Sequence, residues 1–306
     1  MKIKLNPFSN RKKVIFKKGL NRMNQFEEVT AEPIVNPYEV VSAEVYDVIQ
    51  ESPLIKTLRL IPAKKFPFKT GQFIELTIPG IGEGPFTPSS SHFIDDKMDV
   101  TIMKTGFVTE YVHKVKVGDV VGLRGPFGSR YPLEKFEGKD LLILGGGCGL
   151  APLRSLFSSL LHEVEKYKSI TFYAGAKTPS DCIYKDEVTG WRKYSNVKFF
   201  RSVDVVPEGE DWNEDVGVVT VLLKHLDINP TDNPAVVCGP PIMMKFGTRD
   251  LLKYGYKEEN LYLSMEKKMY CGFGQCRHCV IGPYYACKDG PVFTYNQIKN
   301  EEGIWD

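Results

Sequence analysis

No stretch of this sequence approaches the roughly eighteen consecutive apolar residues that a membrane-spanning helix needs, and no apolar secretory core follows its basic start. The expectation is a cytoplasmic chain. Net charge is nearly absent too: 40 Lys and Arg against 38 Asp and Glu leave +2, which gives no general ground for a nucleic-acid partner. The imbalance is local. Lys2, Lys4, Arg11, Lys12, Lys13, Lys17, Lys18 and Arg22 stand near the start, and no acid precedes Glu27. Such a segment buries little apolar surface by itself. It either stays solvated or orders on a partner subunit, with Phe8, Ile15, Phe16 and Leu20 as anchors.

Histidine is scarce as well, five in the chain, and this bounds what the seven cysteines can do. Cys148 has no histidine base nearby in sequence, so it reads as a small residue in a turn rather than a nucleophile. Cys182 reads as inert. Four cysteines crowd into one segment, Cys271, Cys276, Cys279 and Cys287, with the spacing C-x4-C-x2-C-x7-C. Thiols this dense in a long chain without a secretory signal point to a metal site rather than a disulfide framework. A Rieske centre needs two histidines, and His278 is alone. Zinc sites more often show C-x2-C twice. The spacing is the plant-type 2Fe-2S pattern, with Gly272 and Gly274 free to adopt positive φ and turn amides toward sulfur. A structural docking module with zinc on the four cysteines is the alternative of another class.

A hydrophobic share of 42% and a charged share of 25% are those of a globular protein, and 306 residues exceed one ordinary core. Glu39 to Val48, Leu54 to Ile61, Gln72 to Ile78, Met98 to Met103 and Asp119 to Leu123 read as short strands between Pro- and Gly-containing turns. With one helix from Val108 to Val117 they predict a small antiparallel barrel.

The pattern changes near Gly138. Leu141–Leu144 is a continuous apolar run, as in a parallel strand covered on both faces, and it enters Gly145-Gly146-Gly147-Cys148-Gly149. An apolar helix face follows (Leu150, Leu153, Leu156, Phe157, Leu160). Strands at Ile170 to Ala174, Val197 to Phe200 and Ala235 to Cys238 then alternate with helices around Cys182 to Trp191, Val219 to Leu226 and Pro241 to Leu252. This is a doubly wound α/β domain with a parallel sheet. The first glycine turn is where such a domain takes a dinucleotide pyrophosphate, although GGGCG is not G-x-G-x-x-G. Cys238-Gly239-Pro240-Pro241 makes a second turn on the same carboxyl edge.

In this order the motifs resemble the ferredoxin–NADP reductase superfamily, and within it the iron–sulfur flavoprotein subunits of sulfhydrogenase (gamma), of anaerobic sulfite reductase and, more distantly, of dihydroorotate dehydrogenase. The likeness runs from about Asn36 onward. Thr70-Gly71-Gln72-Phe73 is similar to the family's P-G-Q-F turn. Phe86, Thr87, Pro88 and Ser89 match the segment along the isoalloxazine, with Thr87 near flavin N5. Gly106-Phe107-Val108-Thr109 matches the turn that receives the flavin pyrophosphate, and Arg124-Gly125-Pro126-Phe127-Gly128 closes the barrel. Gly145, Gly146, Gly147, Gly149, Cys238, Gly239 and Pro240 match the nicotinamide-nucleotide motifs, and Met265 to Tyr295 the cluster domain. Where the superfamily has the arginine of R-x-Y-S, this chain has Gly84, so the resemblance leaves the phosphates to the amides of the 106–109 turn and to Lys104.

The resemblance implies a basic extension over residues 1–35, an FAD-binding barrel over 36–136, an NAD(P)-binding domain over 137–262 and a 2Fe-2S domain over 263–306. FAD is expected rather than FMN. NAD(P)H would pass hydride to the flavin beside Thr87, with Cys238 and Glu266 as polar neighbours of the nicotinamide. Single electrons would then cross to a cluster on the four cysteines and on to a catalytic redox subunit of sulfite reductase or hydrogenase type. A subunit of a flavin-based bifurcating or heterodisulfide-linked complex would use the same parts. Lys177, Asp181 and Arg201 leave NAD against NADP open.

Overall fold

The computed structural model describes residues 36–305. The chain divides into two units, Met1–Glu39 and Val40–Asp306, and the fold is that of the second. The expected basic extension lies outside the described residues.

Strands β1 (Val41–Ser52), β2 (Ile55–Pro62), β3 (Phe73–Ile78), β4 (Gly82–Phe86), β5 (Met98–Met103) and β6 (Val120–Phe127) form one antiparallel sheet in the order β4-β3-β6-β1-β2-β5. Just past β4, Pro88 bridges Val100 on β5 and joins the two edges into a barrel. Alternation drives it: Val41, Ala43 and Val45 turn inward while Ser42 and Glu44 face out, and Leu58, Leu60, Ile74, Leu76 and Val100 fill the centre. β4 is a strand that composition hides. Two glycines and Pro85 disfavour a central strand, and β4 is accordingly an edge, paired with β3 alone from Ile78↔Gly82 to Ile74↔Phe86. The helix expected over Val108–Val117 is shorter, α1 (Phe107–Val112). A turn replaces its second half, with Gly118 at φ 91 and the Lys116 amide donating to Asp119 Oδ2 at 2.8 Å.

After α2 (Leu133–Phe136), the second sheet begins with β7 (Asp140–Gly146), buried throughout, then α3 (Leu150–His162), β8 (Ser169–Ala176), α4 (Val188–Trp191), β9 (Val197–Val203), β10 (Asp215–Val216), β11 (Ala235–Cys238), α5 (Pro241–Tyr254) and β12 (Leu261–Ser264). The order β10-β9-β8-β7-β11-β12 is parallel and reverses between β7 and β11. Leu153, Leu156 and Phe157 of α3 cover one face, and Met244 and Leu251 of α5 the other. Two expected helices differ. Val219–His225 is a 3-10 helix, consistent with β-branched Val219, Thr220 and Val221 at its start. Around Cys182–Trp191 only the last turn is α-helical, because Tyr184 (φ 58) drops its side chain into the joint with the barrel.

The cysteine segment does not stand apart. It carries a small hairpin, β13 (Val280–Ile281) and β14 (Tyr284–Tyr285), and then β15 (Val292–Thr294), which pairs antiparallel with β12 before α6 (Tyr295–Ile298). Met265, Met269, Cys279, Ile281, Cys287 and Phe293 share one core with Leu142, Leu144 and Val237 of the sheet.

Candidate functional site

The order reversal puts the ends of β7 and β11 side by side, and there the two glycine turns touch. A Cβ on Gly149 would lie 2.4 Å from Gly239 Cα, and one on Gly239, at φ 157, would lie 3.0 Å from Gly146 O. Only glycine fits this contact, and the carboxyl edge at such a reversal is where α/β sheets take nucleotides. Gly147, at φ 56, faces open space. Cys238 is buried and its Sγ donates to Ser264 O at 3.7 Å; burial pushes its thiol up to about 12. Burial likewise pushes Cys148 up to about 11, and the Glu266 charge adds to both shifts. The structure thus gathers Cys148, Cys238 and exposed Glu266 around one edge, with burial favouring the protonated form of both thiols.

The strip from β4 into β5 faces this edge. Phe86 and Thr87 are half-buried and Pro88 is buried. Ser89 lies deeper: its amide donates to Asp99 O at 2.7 Å and its hydroxyl meets Thr101 Oγ1 at 2.9 Å. Thr101 also accepts from Tyr184 Oη at 2.7 Å and meets Thr57 at 2.8 Å. At the start of α1, Thr109 Oγ1 accepts from the Thr105 and Gly106 amides (2.9 and 2.8 Å). The first bond within the helix is Glu110 N–H to Gly106 O, so the amides of Phe107, Val108 and Thr109 precede the ladder. Gly82 lies beside Val108, and Lys104 is exposed at the same end.

Two buried arginines, neither singled out as a site residue by sequence, brace the strip. Arg154 on α3 donates to Ser89 O (2.8 Å), Asp99 Oδ2 (3.1 Å) and Glu187, and lies over the Tyr184 ring. A basic residue between Leu153 and Phe157, four after Leu150, was the available signal: it lies within the helix's apolar face. Arg124 on β6 takes both oxygens of Glu83 on β4, at 3.0 and 2.6 Å. Arg124 therefore reaches the strand next to Gly84, yet it is held by a carboxylate. Beside it Glu75 is fully buried with no hydrogen bond at either carboxylate oxygen among the described residues, and burial, with Glu83, raises it to about 8.

In the cysteine loop Gly272 (φ 87), Gly274 (φ 82) and Arg277 (φ 61) are left-handed. The backbone winds around sulfur: Gly274 N–H donates to Cys287 Sγ at 3.0 Å and Gln275 N–H to Cys271 Sγ at 3.3 Å. Amides, that of His278 first, hold the Cys276 thiol below its usual range. Cys279 and Cys287 are buried with sulfurs 3.2 Å apart, while Cys276 pairs with Cys271. Among the described residues no three His, Cys, Asp or Glu side chains converge on a single ion. Four thiols with backbone amides donating to two of the sulfurs are a donor set of the kind that suits an iron–sulfur cluster. His278 is exposed, edge-on to the Tyr270 ring at 5.0 Å.

Barrel, switch-point sheet and cysteine loop together make the architecture of the NAD(P)-dependent oxidoreductases of ferredoxin reductase type. Residues 143–249 match the oxidoreductase NAD-binding domain, and residues 266–299 the iron–sulfur cluster binding domain of dihydroorotate dehydrogenase B. Sulfhydrogenase 1 subunit gamma of Pyrococcus furiosus is 36% identical over 183 residues, 60% of this chain and 63% of that one. Sulfhydrogenase 2 subunit gamma of the same organism is 33% identical over 233 residues, 71% and 80% of the two chains. A chain of the NADH-dependent reduced ferredoxin–NADP oxidoreductase superposes with a TM-score of 0.68 at 23% identity, covering 84% of this chain and 89% of its own, which shows a shared fold. The chain belongs to the family of the sulfhydrogenase gamma subunits.

Proposed function

We propose that this chain is an NAD(P)H-linked electron-transfer subunit, holding FAD between a nicotinamide nucleotide and a 2Fe-2S cluster and serving a catalytic partner of hydrogenase or sulfite reductase type. One observation carries the reading: Arg154 ties the nucleotide edge to Ser89, and Arg124 ties Glu83, on the strand that leads into Thr87–Ser89, to the cysteine loop, so three candidate sites lie in series. When bound, the flavin supplies the conversion of a two-electron hydride into single electrons.

The residues do the placing. Gly145–Gly149 and Cys238–Pro240 would seat the nucleotide, with protonated Cys238 and with Glu266 at its reactive end. Phe86 to Ser89 would line the isoalloxazine, and the amides of Phe107, Val108 and Thr109, with Lys104, would meet the flavin phosphates. Cys271 and Cys276 would take one iron, Cys279 and Cys287 the other. The flavin, nucleotide and cluster functions divide at about 136 and 262, and the basic extension with the cluster segment would dock the partner. Among the described residues no helix is long and apolar enough to cross a membrane. The reading places the subunit in the cytoplasm, where thiols stay reduced and available to iron.

The test is an anaerobic titration of the purified chain with NADH and, separately, NADPH, following flavin bleaching optically and the reduced cluster by electron paramagnetic resonance. Bleaching by one nucleotide with a one-electron cluster signal is expected. A colourless chain carrying zinc would overturn the reading.

A further inference from the structure

Arg124 is 4% exposed and stands between the strand expected to line the flavin and the loop expected to hold the cluster. Besides both oxygens of Glu83, it binds the peptide at the first cysteine: Nη1 donates to Cys271 O and Nη2 to Tyr270 O, each at 3.2 Å. Its guanidinium lies 5.4 Å from the centre of the Phe127 ring. That same ring packs on Gly272, where an added Cβ would come within 2.5 Å of it. Barrel and cysteine loop are therefore locked by one side chain and one ring.

We propose that Arg124 is a positioning residue for electron transfer between flavin and cluster. The inference rests on the reading that Cys271 is a cluster ligand. In the transfer one electron leaves the reduced flavin and one is gained by the cluster, and neither bond nor proton passes through Arg124. Its task is geometric and electrostatic. The planar fork holds the Glu83 carboxylate with two donors and still reaches two carbonyls, which a lysine ammonium cannot do from one position. The Cys271 peptide is thereby fixed against β4, and with it the cluster's distance from the flavin strip. The positive end of the Arg124–Glu83 pair faces the loop, where it offsets the negative charge that reduction adds to the cluster. Glu75, opposite Arg124 on β3, adds no second full charge while it holds its proton.

The experiment uses the flavin- and iron-loaded chain and three variants, Arg124→Gln, Arg124→Lys and Glu83→Gln, with iron and flavin content measured first. Rapid mixing with the nucleotide that reduces the wild type separates flavin bleaching from cluster reduction, and a potentiometric titration gives the cluster potential. Arg124→Gln is expected to slow cluster reduction about tenfold relative to its own flavin bleaching, and to show a lowered cluster potential. Arg124→Lys should restore the potential and leave the transfer slow. An Arg124→Gln chain with unchanged potential and transfer rate overturns the proposal. Should that variant fail to hold iron, Glu83→Gln decides, because it keeps the guanidinium and frees only its anchor on β4. Slower cluster reduction at full iron content then supports the proposal, and the wild-type rate overturns it. A wild-type chain that takes up no iron removes the cluster reading, and the proposal with it, before any variant is made.

Discussion

Arg154 Nη1 and Asp99 Oδ2 meet at 3.1 Å, and this ion pair joins the nucleotide-binding sheet to the barrel. Both side chains are largely shielded, 11% and 12% exposed, so neither charge is well paired by water if the other is removed. The same guanidinium holds Ser89 O, two residues past Thr87. Arg154 thus contacts both the barrel's Asp99 and the Thr87–Ser89 strip, beside the Tyr184–Thr101 bond that crosses the same joint.

Replacing Arg154 by Met should therefore cost about 3–5 kcal/mol, as expected when one partner of a buried pair is lost. Arg154→Lys keeps the charge but not the geometry, and should retain most of the stability while slowing nucleotide-driven flavin bleaching. Thermal unfolding and stopped-flow bleaching check the two effects separately. Equal bleaching rates in wild type and Arg154→Lys would show that the fork does not set the joint.

Glu75 makes stability depend on pH in a direction opposite to that of a salt-bridged carboxylate. Burial and Glu83 raise it to about 8 in the folded chain, against 4.5 as its ordinary value. Between those two pH values the folded state binds a proton that the unfolded state has released, so stability falls as pH rises, by at most about 1.4 kcal/mol per pH unit. Glu75→Gln mimics the protonated form. Its melting temperature should match the wild type near pH 4 and exceed it near pH 8.5, and a difference that does not change with pH would count against the buried-proton account.

What could be read in advance was what is local. The cysteine spacing, the glycines around it and the apolar run of Leu141–Leu144 each lie within one short window; the run is the buried strand β7, and the cysteine segment matches an iron–sulfur binding domain. Arg124 and Arg154 escaped as site residues because their partners are distant in the chain: Cys271 is 147 residues from Arg124, and Ser89 is 65 from Arg154. β4 was read as a turn and a cofactor segment because its glycines and proline carry no strand signal, and only the edge position beside β3 makes it a strand. Tyr184 broke an expected helix for a similar reason, since its hydroxyl is drawn to Thr101, 83 residues away.

The two glycine turns allow a sharp contrast. Gly149→Ala forces the turns apart, because its Cβ would sit 2.4 Å from backbone that cannot yield, whereas Gly147→Ala meets no atom and bears only the strain of its φ of 56, about 1 kcal/mol. Gly149→Ala should load flavin and iron, bleach with dithionite, and respond to nucleotide with a KM raised at least about tenfold. Gly147→Ala should lose little. Similar nucleotide responses in the two variants would remove the turns from the binding site.

The cysteine pairs predict how metal is lost. Cys287 is buried, its sulfur lies 3.2 Å from that of Cys279 and it accepts the Gly274 amide, so burial and the neighbouring Cys279 raise its thiol pKa in the metal-free chain. Two iron ions would displace such thiol protons, which makes binding release protons and strengthen with pH. Cys287→Ser should therefore drop iron from about two per chain and abolish the cluster signal, while nucleotide still bleaches the flavin, because the Gly145–Gly149 and Thr87 regions do not touch that sulfur. Cys182→Ser, whose sulfur donates to Thr178 O on the far side of the nucleotide sheet, should keep its full iron. Metal analysis beside the optical titration checks both, and an equal loss of iron in the two variants would mean that the four-cysteine loop is not the cluster site.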